Sequence, residues 1–225
     1  MKHKLRSGRE IELKLSEDGS HTLYVPELDE HYHSVFGART ESMHVFIKSG
    51  LDLLDKQDIK ILEIGFGTGL NALLTALNKG NKKIEYHSIE KYPLNSETED
   101  ALVFSPNQTD EETSVFKAIH EAPWNELTEI IPDFKLLKFE DDLLTVNFST
   151  KYDLVYFDAF GPDVQPELWT EEIFKKIFDS MNSNGILTTY SAKGAVRRAM
   201  QSAGFKVERL PGPPKKREML RCTKP

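Results

Sequence analysis

The chain has 225 residues, a formal net charge of −7 and 39% hydrophobic residues, a composition typical of a soluble globular protein. No apolar run approaches the roughly 20 residues of a membrane-spanning helix, and the basic N-terminus lacks the apolar segment of a secretory signal. Cys222 is the only cysteine, which excludes an internal disulfide and a cysteine-rich metal site. We therefore expect a cytoplasmic protein with no membrane or metal partner, and the sequence gives no indication of its oligomeric state.

Residues 1–50 predict a β-hairpin followed by a helical lead-in. Apolar and polar residues alternate over residues 10–25 on both sides of Asp18-Gly19, a pair that favours a tight hairpin turn. From Thr40 onward, apolar residues recur at helical spacing, as at Met43 and Phe46. We place the boundary of the main domain, residues 51–225, after this segment.

Strand-like and helix-like segments alternate over residues 51–225. Predicted strands lie at 59–65, 84–89, 133–142, 152–160, 185–191, 205–210 and 218–224. Predicted helices lie at 70–80, 114–127, 170–181 and 194–204, and residues 105–114 are predicted to be a polar loop. This alternation is typical of an α/β, doubly wound, mostly parallel sheet. The last two strands, joined by "PGPPKKR", indicate an antiparallel pair.

A glycine-rich loop follows the first of these strands. The segment "IGFGTGLN" at 64–71 places Gly65, Gly67 and Gly69 at alternate positions between a strand and a helix. Glycine lets the backbone turn tightly and approach a ligand without an intervening Cβ. A dinucleotide site favours G-x-G-x-x-G, whereas this spacing is G-x-G-x-G and follows Glu63. The carboxylate disfavours a pyrophosphate and favours a zwitterionic sulfonium ligand.

Acidic residues also follow the next three strands. Glu90 ends the second strand, Asp141 and Asp142 end the third, and Asp158 ends the fourth. Because the carboxyl ends of parallel strands meet at one edge of a sheet, we expect these side chains to surround one ligand site. Glu90 is placed to accept hydrogen bonds from ribose hydroxyls, and the third strand's acids to reach an adenine amino group.

Five segments in a fixed order carry a resemblance to a known family. They are "GFGTGLN", "IEKYPL", "DAFGPDVQPELWTEEIF", "GAVRRAMQSAGF" and "PGPPKKREML". Over roughly residues 20–222, the chain resembles the methyltransferase domain of the bifunctional tRNA 5-methylaminomethyl-2-thiouridine biosynthesis proteins and its free-standing relatives. The resemblance implies a seven-stranded Rossmann-like sheet and S-adenosyl-L-methionine as cofactor. It also implies that the flavin-dependent oxidoreductase domain of those proteins is missing from these 225 residues.

The resemblance further implies a reaction. The expected acceptor is the exocyclic aminomethyl group of a tRNA wobble uridine, and the expected product is 5-methylaminomethyl(-2-thio)uridine. Asp158 is the candidate catalytic residue, because a carboxylate beside the methyl group can orient the amine and accept its proton. The residues expected to bind the cofactor are Glu63, Gly65, Phe66, Gly67, Gly69, Asn71, Glu90, Lys91, Asp141 and Asp158.

Substrate contacts are expected from two segments near these acids. Tyr32, His33 and Glu41 would close over the donor from the N-terminal side. The loop after Asp158 is stiffened by proline and would contribute the residues Phe160, Pro162 and Trp169. The indole of Trp169 is predicted to stack on a base.

The charge distribution suggests how a polyanion would bind. Residues 193–225 carry a net charge of +8, whereas the rest of the chain carries −15. A basic segment of this kind can mark a nucleic-acid-binding face. The residues predicted to hold phosphates of the tRNA anticodon region are Arg197, Arg198, Lys215, Lys216 and Arg217.

Other functions are weighed against this one. A polyamine aminopropyltransferase or a small-molecule amine N-methyltransferase also fits an N-terminal hairpin and an acidic site, but the basic segment argues against both. A non-catalytic, donor-binding, RNA-associated module is disfavoured by Asp158 and its adjoining loop. A nicotinamide oxidoreductase is disfavoured by the position of the third glycine.

Overall fold

The computed structural model describes residues 2–104 and 107–225. An antiparallel N-terminal sheet contains, in spatial order, β1 (Lys2–Lys4), β2 (Glu10–Leu15), β3 (His21–Val25) and β4 (Glu30–His31). Strands β2 and β3 are the predicted hairpin, and Gly19 in their turn has a φ of 78°. Strands β1 and β4 were not predicted, because segments of three and two residues are too short to show alternation.

A short helical segment connects this sheet to the main domain. Helix α1 (Ala38–Ser42) continues as a π-helix over Met43–Lys48 and is followed by a 3₁₀ turn over Leu51–Leu53. The helix predicted from Thr40 onward is thus confirmed. Phe46 of the π-helix and Leu23 of β3 belong to the same hydrophobic core as residues of the main sheet. The hairpin and lead-in therefore have no separate core of their own.

The main sheet has eight strands. In chain order they are β5 (Asp58–Ile64), β6 (Lys83–Glu90), β7 (Thr128–Ile131), β8 (Phe134–Glu140), β9 (Tyr152–Phe157), β10 (Met181–Thr189), β11 (Lys206–Pro211) and β12 (Glu218–Thr223). Their spatial order is β11-β12-β10-β9-β5-β6-β8-β7. Strands β8, β6, β5, β9 and β10 run parallel to one another. At one edge β7 pairs antiparallel with β8, and at the other β12 pairs antiparallel with both β10 and β11. The predicted fold class and the antiparallel C-terminal pair are confirmed.

The predicted number of strands, seven, was wrong by one. The unpredicted strand is β7, which pairs antiparallel with β8 at the edge of the sheet. Asp133, with a φ of 62°, lies in the tight turn between them. An edge strand of four residues shows no clear alternation of buried and exposed positions, so its sequence carries little strand signal.

Helices cover both faces of the sheet. Helices α2 (Leu70–Asn78) and α4 (Asp110–Glu121) pack in one core cluster, and α5 (Glu171–Asp179) and α6 (Gly194–Ser202) pack in a second one. Alternate residues of β5 divide between the clusters, with Ile61 in the first and Leu62 in the second, as a pleated strand requires. A short helix, α3 (Ser96–Ala101), lies between β6 and α4.

Helix α4 begins earlier than predicted. Thr109 accepts a hydrogen bond from the backbone of Glu112, whose side chain accepts one from the backbone of Thr109. This capping box makes the polar run at 110–113 the first turn of the helix rather than a loop. The remainder of the predicted loop includes Ser105 and Pro106, which lie outside the described residues.

Two kinds of feature are absent from residues 2–104 and 107–225. Within them, no helix combines the length and apolarity needed to cross a bilayer. In the same residues, no group of three or more His, Cys, Asp or Glu side chains is arranged to hold a metal ion.

Candidate active site

The order of the main sheet reverses at β5, which has β6 on one side and β9 on the other. In doubly wound sheets, ligands bind beyond the carboxyl ends of the strands at such a point. A cavity of about 380 Å³ lies there, bounded on one side by the N-terminal sheet. The predicted site residues that line it are Tyr32, His33, Glu41, Gly65, Phe66, Gly67, Glu90, Lys91, Asp141, Asp158, Phe160 and Lys216.

The glycine loop is shaped by its protein neighbours. Gly65 has a φ of 90°, and a Cβ there would lie 2.8 Å from the carbonyl oxygen of Asp158. A Cβ on Gly67 would lie 3.1 Å from the ring of Tyr32. The loop is thus held between the end of β9 and the N-terminal segment. Side chains at these positions would displace the cavity walls before they met any ligand.

Glu90 supports the loop from the end of β6. One carboxylate oxygen accepts a hydrogen bond from the backbone N–H of Gly67 at 3.0 Å, and the other accepts one from Tyr92 at 2.8 Å. Burial raises the pKa of Glu90, and these backbone hydrogen bonds partly offset the rise. Each oxygen retains a second acceptor site, so Glu90 can still receive ribose hydroxyls.

Glu63, Gly69 and Asn71 lie behind the cavity wall rather than on it. Burial raises the pKa of Glu63 to about 8, and Ser88 donates a 2.6 Å hydrogen bond to one of its oxygens. The other oxygen, and the carbonyl oxygen of the Asn71 amide, are buried and have no hydrogen-bond partner in the described part of the chain. The nearby Asn71 amide and Tyr86 hydroxyl oppose the rise in the Glu63 pKa without offsetting it.

Asp158 lies at the cavity end of β9. Its carboxylate accepts a 2.8 Å hydrogen bond from the Asn71 amide. Burial raises the pKa of Asp158 well above that of an ordinary aspartate, and the carboxylates of Glu63 and Glu41 add to the rise, whereas Asn71 and Lys216 oppose it. Asp158 is therefore a stronger base than an exposed aspartate.

The N-terminal segment is fixed onto the glycine loop. The His33 imidazole lies 2.7 Å from the hydroxyl of Thr68, within the loop. Burial lowers the pKa of His33 to about 4, so the ring is neutral at physiological pH. Tyr32 packs edge-on against Phe160, with ring centroids 5.0 Å apart. These contacts join the segment after β4 to both walls of the cavity.

Several predicted substrate residues lie elsewhere. Trp169 is 5% exposed, its indole N–H donates to the carbonyl oxygen of Phe160, and its ring packs on Phe157. Such an indole belongs to the core and is not placed to stack on a base. Pro162 does not line the cavity, and neither do Arg197 and Arg198 of α6.

The basic segment does not form a single face. Arg209 and Arg221 form ion pairs with glutamates of β11 and β12, because this segment is a strand pair of the sheet rather than a free tail. In the connecting turn, Lys215 has a φ of 69°. Lys215 and Arg217 are exposed, whereas the side chain of Lys216 turns into the cavity.

Some cavity residues were not predicted from the sequence. Tyr190 follows β10 and lines the cavity, and its hydroxyl donates to the carbonyl oxygen of Ala159 at 2.8 Å. Tyr190 follows a strand just as the acids do, so its position in the sequence could have indicated a site residue if aromatic residues at strand ends had been counted. Phe36 and Leu144 are exposed at the cavity. Both lie in irregular segments, where no periodic signal was available.

Comparisons with known proteins agree with this site. A family of S-adenosyl-L-methionine-dependent methyltransferases matches residues 117–225. The chain is 31% identical over 220 residues to the tRNA 5-methylaminomethyl-2-thiouridine biosynthesis bifunctional protein MnmC of Paraburkholderia phymatum, covering 88% of this chain and 33% of that protein. The MnmC protein of Actinobacillus pleuropneumoniae is 29% identical, with 94% and 35% covered. The chain thus spans about a third of these relatives' length.

Solved structures extend the likeness to the whole fold. MNMC2 from Aquifex aeolicus has a TM-score of 0.81 and 26% identity, covering 99% of this chain and 73% of that one. A probable spermidine synthase from Corynebacterium glutamicum shares the fold alone, with a TM-score of 0.57 and 13% identity over 99% of this chain and 79% of that one.

The residues present fit a charged nucleoside cofactor. The backbone of Gly65 and Gly67 lines the cavity, and the Glu90 carboxylate beside it has acceptor capacity for a ribose. The match of residues 117–225 to a family of S-adenosyl-L-methionine-dependent methyltransferases, together with the likeness of the whole fold to MNMC2, indicates S-adenosyl-L-methionine as the cofactor of this site.

Proposed function

We propose that the chain methylates the exocyclic aminomethyl nitrogen of a tRNA wobble uridine, giving 5-methylaminomethyl(-2-thio)uridine. The observation that carries the proposal is the pair of carboxylates, Asp158 and Glu41, in one cavity with the glycine loop. An amine acceptor suits such a pair, since its ammonium form is held by carboxylates and its neutral form needs a base. The names of the relatives, which cover most of this chain, support the choice of tRNA.

The proposed mechanism assigns positioning and proton transfer to the chain. When bound, S-adenosyl-L-methionine supplies a methyl group already activated by its positively charged sulfur. The glycine loop and Glu90 would hold the donor, and the carboxylates of the cavity would position the amine nitrogen to receive its methyl group. A primary alkylamine is mostly protonated at neutral pH. Asp158, with its raised pKa, accepts the amine proton that must be lost.

The test of this function uses labelled methyl donor and two acceptor classes. Transfer RNA from a strain lacking the protein, and separately a set of polyamines, are incubated with enzyme and donor. We expect label in tRNA, recovered as 5-methylaminomethyl uridine by nucleoside mass spectrometry. Label in polyamines instead would assign the chain to small-molecule amine chemistry. Donor binding without any transfer would leave a non-catalytic module.

The tRNA is proposed to contact the turn between β11 and β12 through its anticodon region. Lys215 and Arg217 are exposed there, and in the described part of the chain neither forms an ion pair. The exposed Arg198 of α6 is a further candidate. Cations of this kind hold phosphates and set orientation without reading sequence. Lys216 is excluded from this group while its side chain faces the cavity.

Charge reversal tests this surface. The double variant Lys215→Glu/Arg217→Glu is expected to raise the Kd for tRNA about 10-fold, or about 0.7 kcal/mol per contact. It should also reduce the slope of log K against log[salt] by roughly 1.5, because two phosphate contacts are lost. The matched control is Lys83→Glu/Lys135→Glu. It makes the same charge change near the N-terminal ends of β6 and β8, at the edge of the sheet opposite the cavity. Equal behaviour of the two variants would remove the turn from the tRNA interface.

A further inference from the structure

Lys216 occupies a defined position inside the cavity. Its ammonium group forms an ion pair with Glu41, 175 residues away in the chain, and lies 4.4 Å from the ring centroid of Tyr190. It is also close enough to Asp158 to oppose the rise in that residue's pKa. A primary alkylammonium is thus held between a carboxylate and an aromatic face, next to the candidate base.

The groups around this ammonium are fixed by other contacts. The second oxygen of Glu41 accepts a hydrogen bond from the backbone N–H of Ser34 at 3.2 Å, and the Glu41 side chain is 13% exposed. The Tyr190 hydroxyl donates to the carbonyl oxygen of Ala159 at 2.8 Å. Neither residue depends on Lys216 for its orientation. Together they form a preformed site for a cation, of the carboxylate and cation–π type.

The turn that carries Lys216 explains why this lysine points inward. Lys215, with a φ of 69°, reverses the chain direction, and the backbone N–H of Lys216 donates to the carbonyl oxygen of Pro213 at 2.9 Å. The Lys216 side chain is 35% exposed, so it is not locked in a dry core. Because the side chain is partly exposed, its ammonium can be displaced from the cavity into solvent without unfolding the turn.

We infer that Glu41 and Tyr190 form the subsite for the acceptor's aminomethyl group, and that Lys216 is an internal occupant which the acceptor amine displaces. The inference rests on the proposed function, since it specifies how that amine is recognised. The ammonium of Lys216 and the ammonium of an aminomethyl group have the same charge and the same three donors. An occupied subsite lowers apparent affinity in proportion to the fraction of time that it is free.

The experiment measures binding of benzylamine, a planar ring bearing an aminomethyl group, in the presence of S-adenosylhomocysteine. Wild-type protein is compared with Lys216→Met and Lys216→Gln by calorimetry. Both variants are expected to bind benzylamine about 10-fold more tightly, as follows if Lys216 occupies the subsite about nine-tenths of the time. Adding Glu41→Gln to Lys216→Met should abolish this gain, because the glutamine keeps the Ser34 contact but not the charge. Benzyl alcohol should show no gain.

Controls separate this result from folding and from the proposed function. Lys117→Met, an exposed lysine of α4, is the matched control and should bind benzylamine like the wild type. Affinity for S-adenosylhomocysteine shows that each variant is folded. Equal or weaker benzylamine binding by both Lys216 variants would overturn the inference, as would a gain that survives Glu41→Gln. Because no tRNA is present, failure of tRNA methylation would overturn the proposed function and leave this result in place.

Discussion

Replacing Asp158 by asparagine is expected to lower the rate of methyl transfer by roughly 10²- to 10⁴-fold, the usual contribution of a positioned base. Asparagine has nearly the same shape and can still accept the hydrogen bond from Asn71, so the fold and the affinity for S-adenosyl-L-methionine should change little. A single-turnover assay with labelled donor measures the first quantity, and calorimetry measures the second. Loss of donor binding in parallel with activity would assign Asp158 to the cofactor instead.

The dependence of rate on pH provides a second readout of the same variant. Asp158 accepts a proton only when ionised, and burial raises its pKa above the ordinary range of a carboxyl group. The wild-type rate should therefore rise with pH at pH values above those at which an ordinary aspartate ionises, and Asp158→Asn should lack this rise. Asp179→Asn, an exposed aspartate at the end of α5, is the matched control and should leave both rate and pH profile unchanged. Unchanged turnover in Asp158→Asn would remove this residue from catalysis.

The substitution Gly65→Ala is expected to damage the cofactor site more than an alanine at either of the other two glycines of the loop. The new Cβ would lie 2.8 Å from the backbone carbonyl oxygen of Asp158, which cannot move without shifting the end of β9. We expect a loss of roughly 1–3 kcal/mol of unfolding free energy from backbone strain, a further ~1–3 kcal/mol from overpacking, and at least a ~10-fold loss of donor affinity. Denaturant titration and calorimetry measure these quantities.

Gly8 offers an unusually close control for this experiment. Its φ is 89°, against 90° for Gly65, but a Cβ added there meets no atom within 4 Å. Gly8→Ala should therefore lose only the unfolding free energy that backbone strain costs, and its affinity for the donor should be unchanged. If the two variants lose equal stability and both keep donor affinity, then contact between the loop and β9 does not shape the site.

The elements that the sequence predicted well are those whose signal is local. Apolar strands such as β5 and β9, bounded by turns, define the sheet, and the residues that follow them must meet at one edge because the strands are parallel. For this reason the sequence alone predicts that Glu90, Asp141 and Asp158 surround one cavity, and all three line it. Local signals failed where they were weak or misassigned, as at the four-residue edge strand β7.

The direction of a side chain in an irregular segment is not a local property. Trp169 was predicted to stack on a base because its loop follows Asp158 in sequence, but it lies in a 3₁₀ turn and its indole is buried in the core. Lys216 was grouped with Lys215 and Arg217 because the three are consecutive. The positive φ of Lys215 and an ion pair with Glu41 separate it from them.

The sequence by itself therefore determined the fold class, the glycine loop and the ring of acids, since strand periodicity, turn chemistry and strand-end position are all encoded within short segments. The tertiary structure decided the pKa of each buried carboxyl group and the contacts of each lysine and arginine side chain. Burial raises the pKa of Glu63 and Asp158, and burial is a property of the packed molecule. The Lys216–Glu41 contact joins residues 175 positions apart, a pairing that only the folded chain brings about.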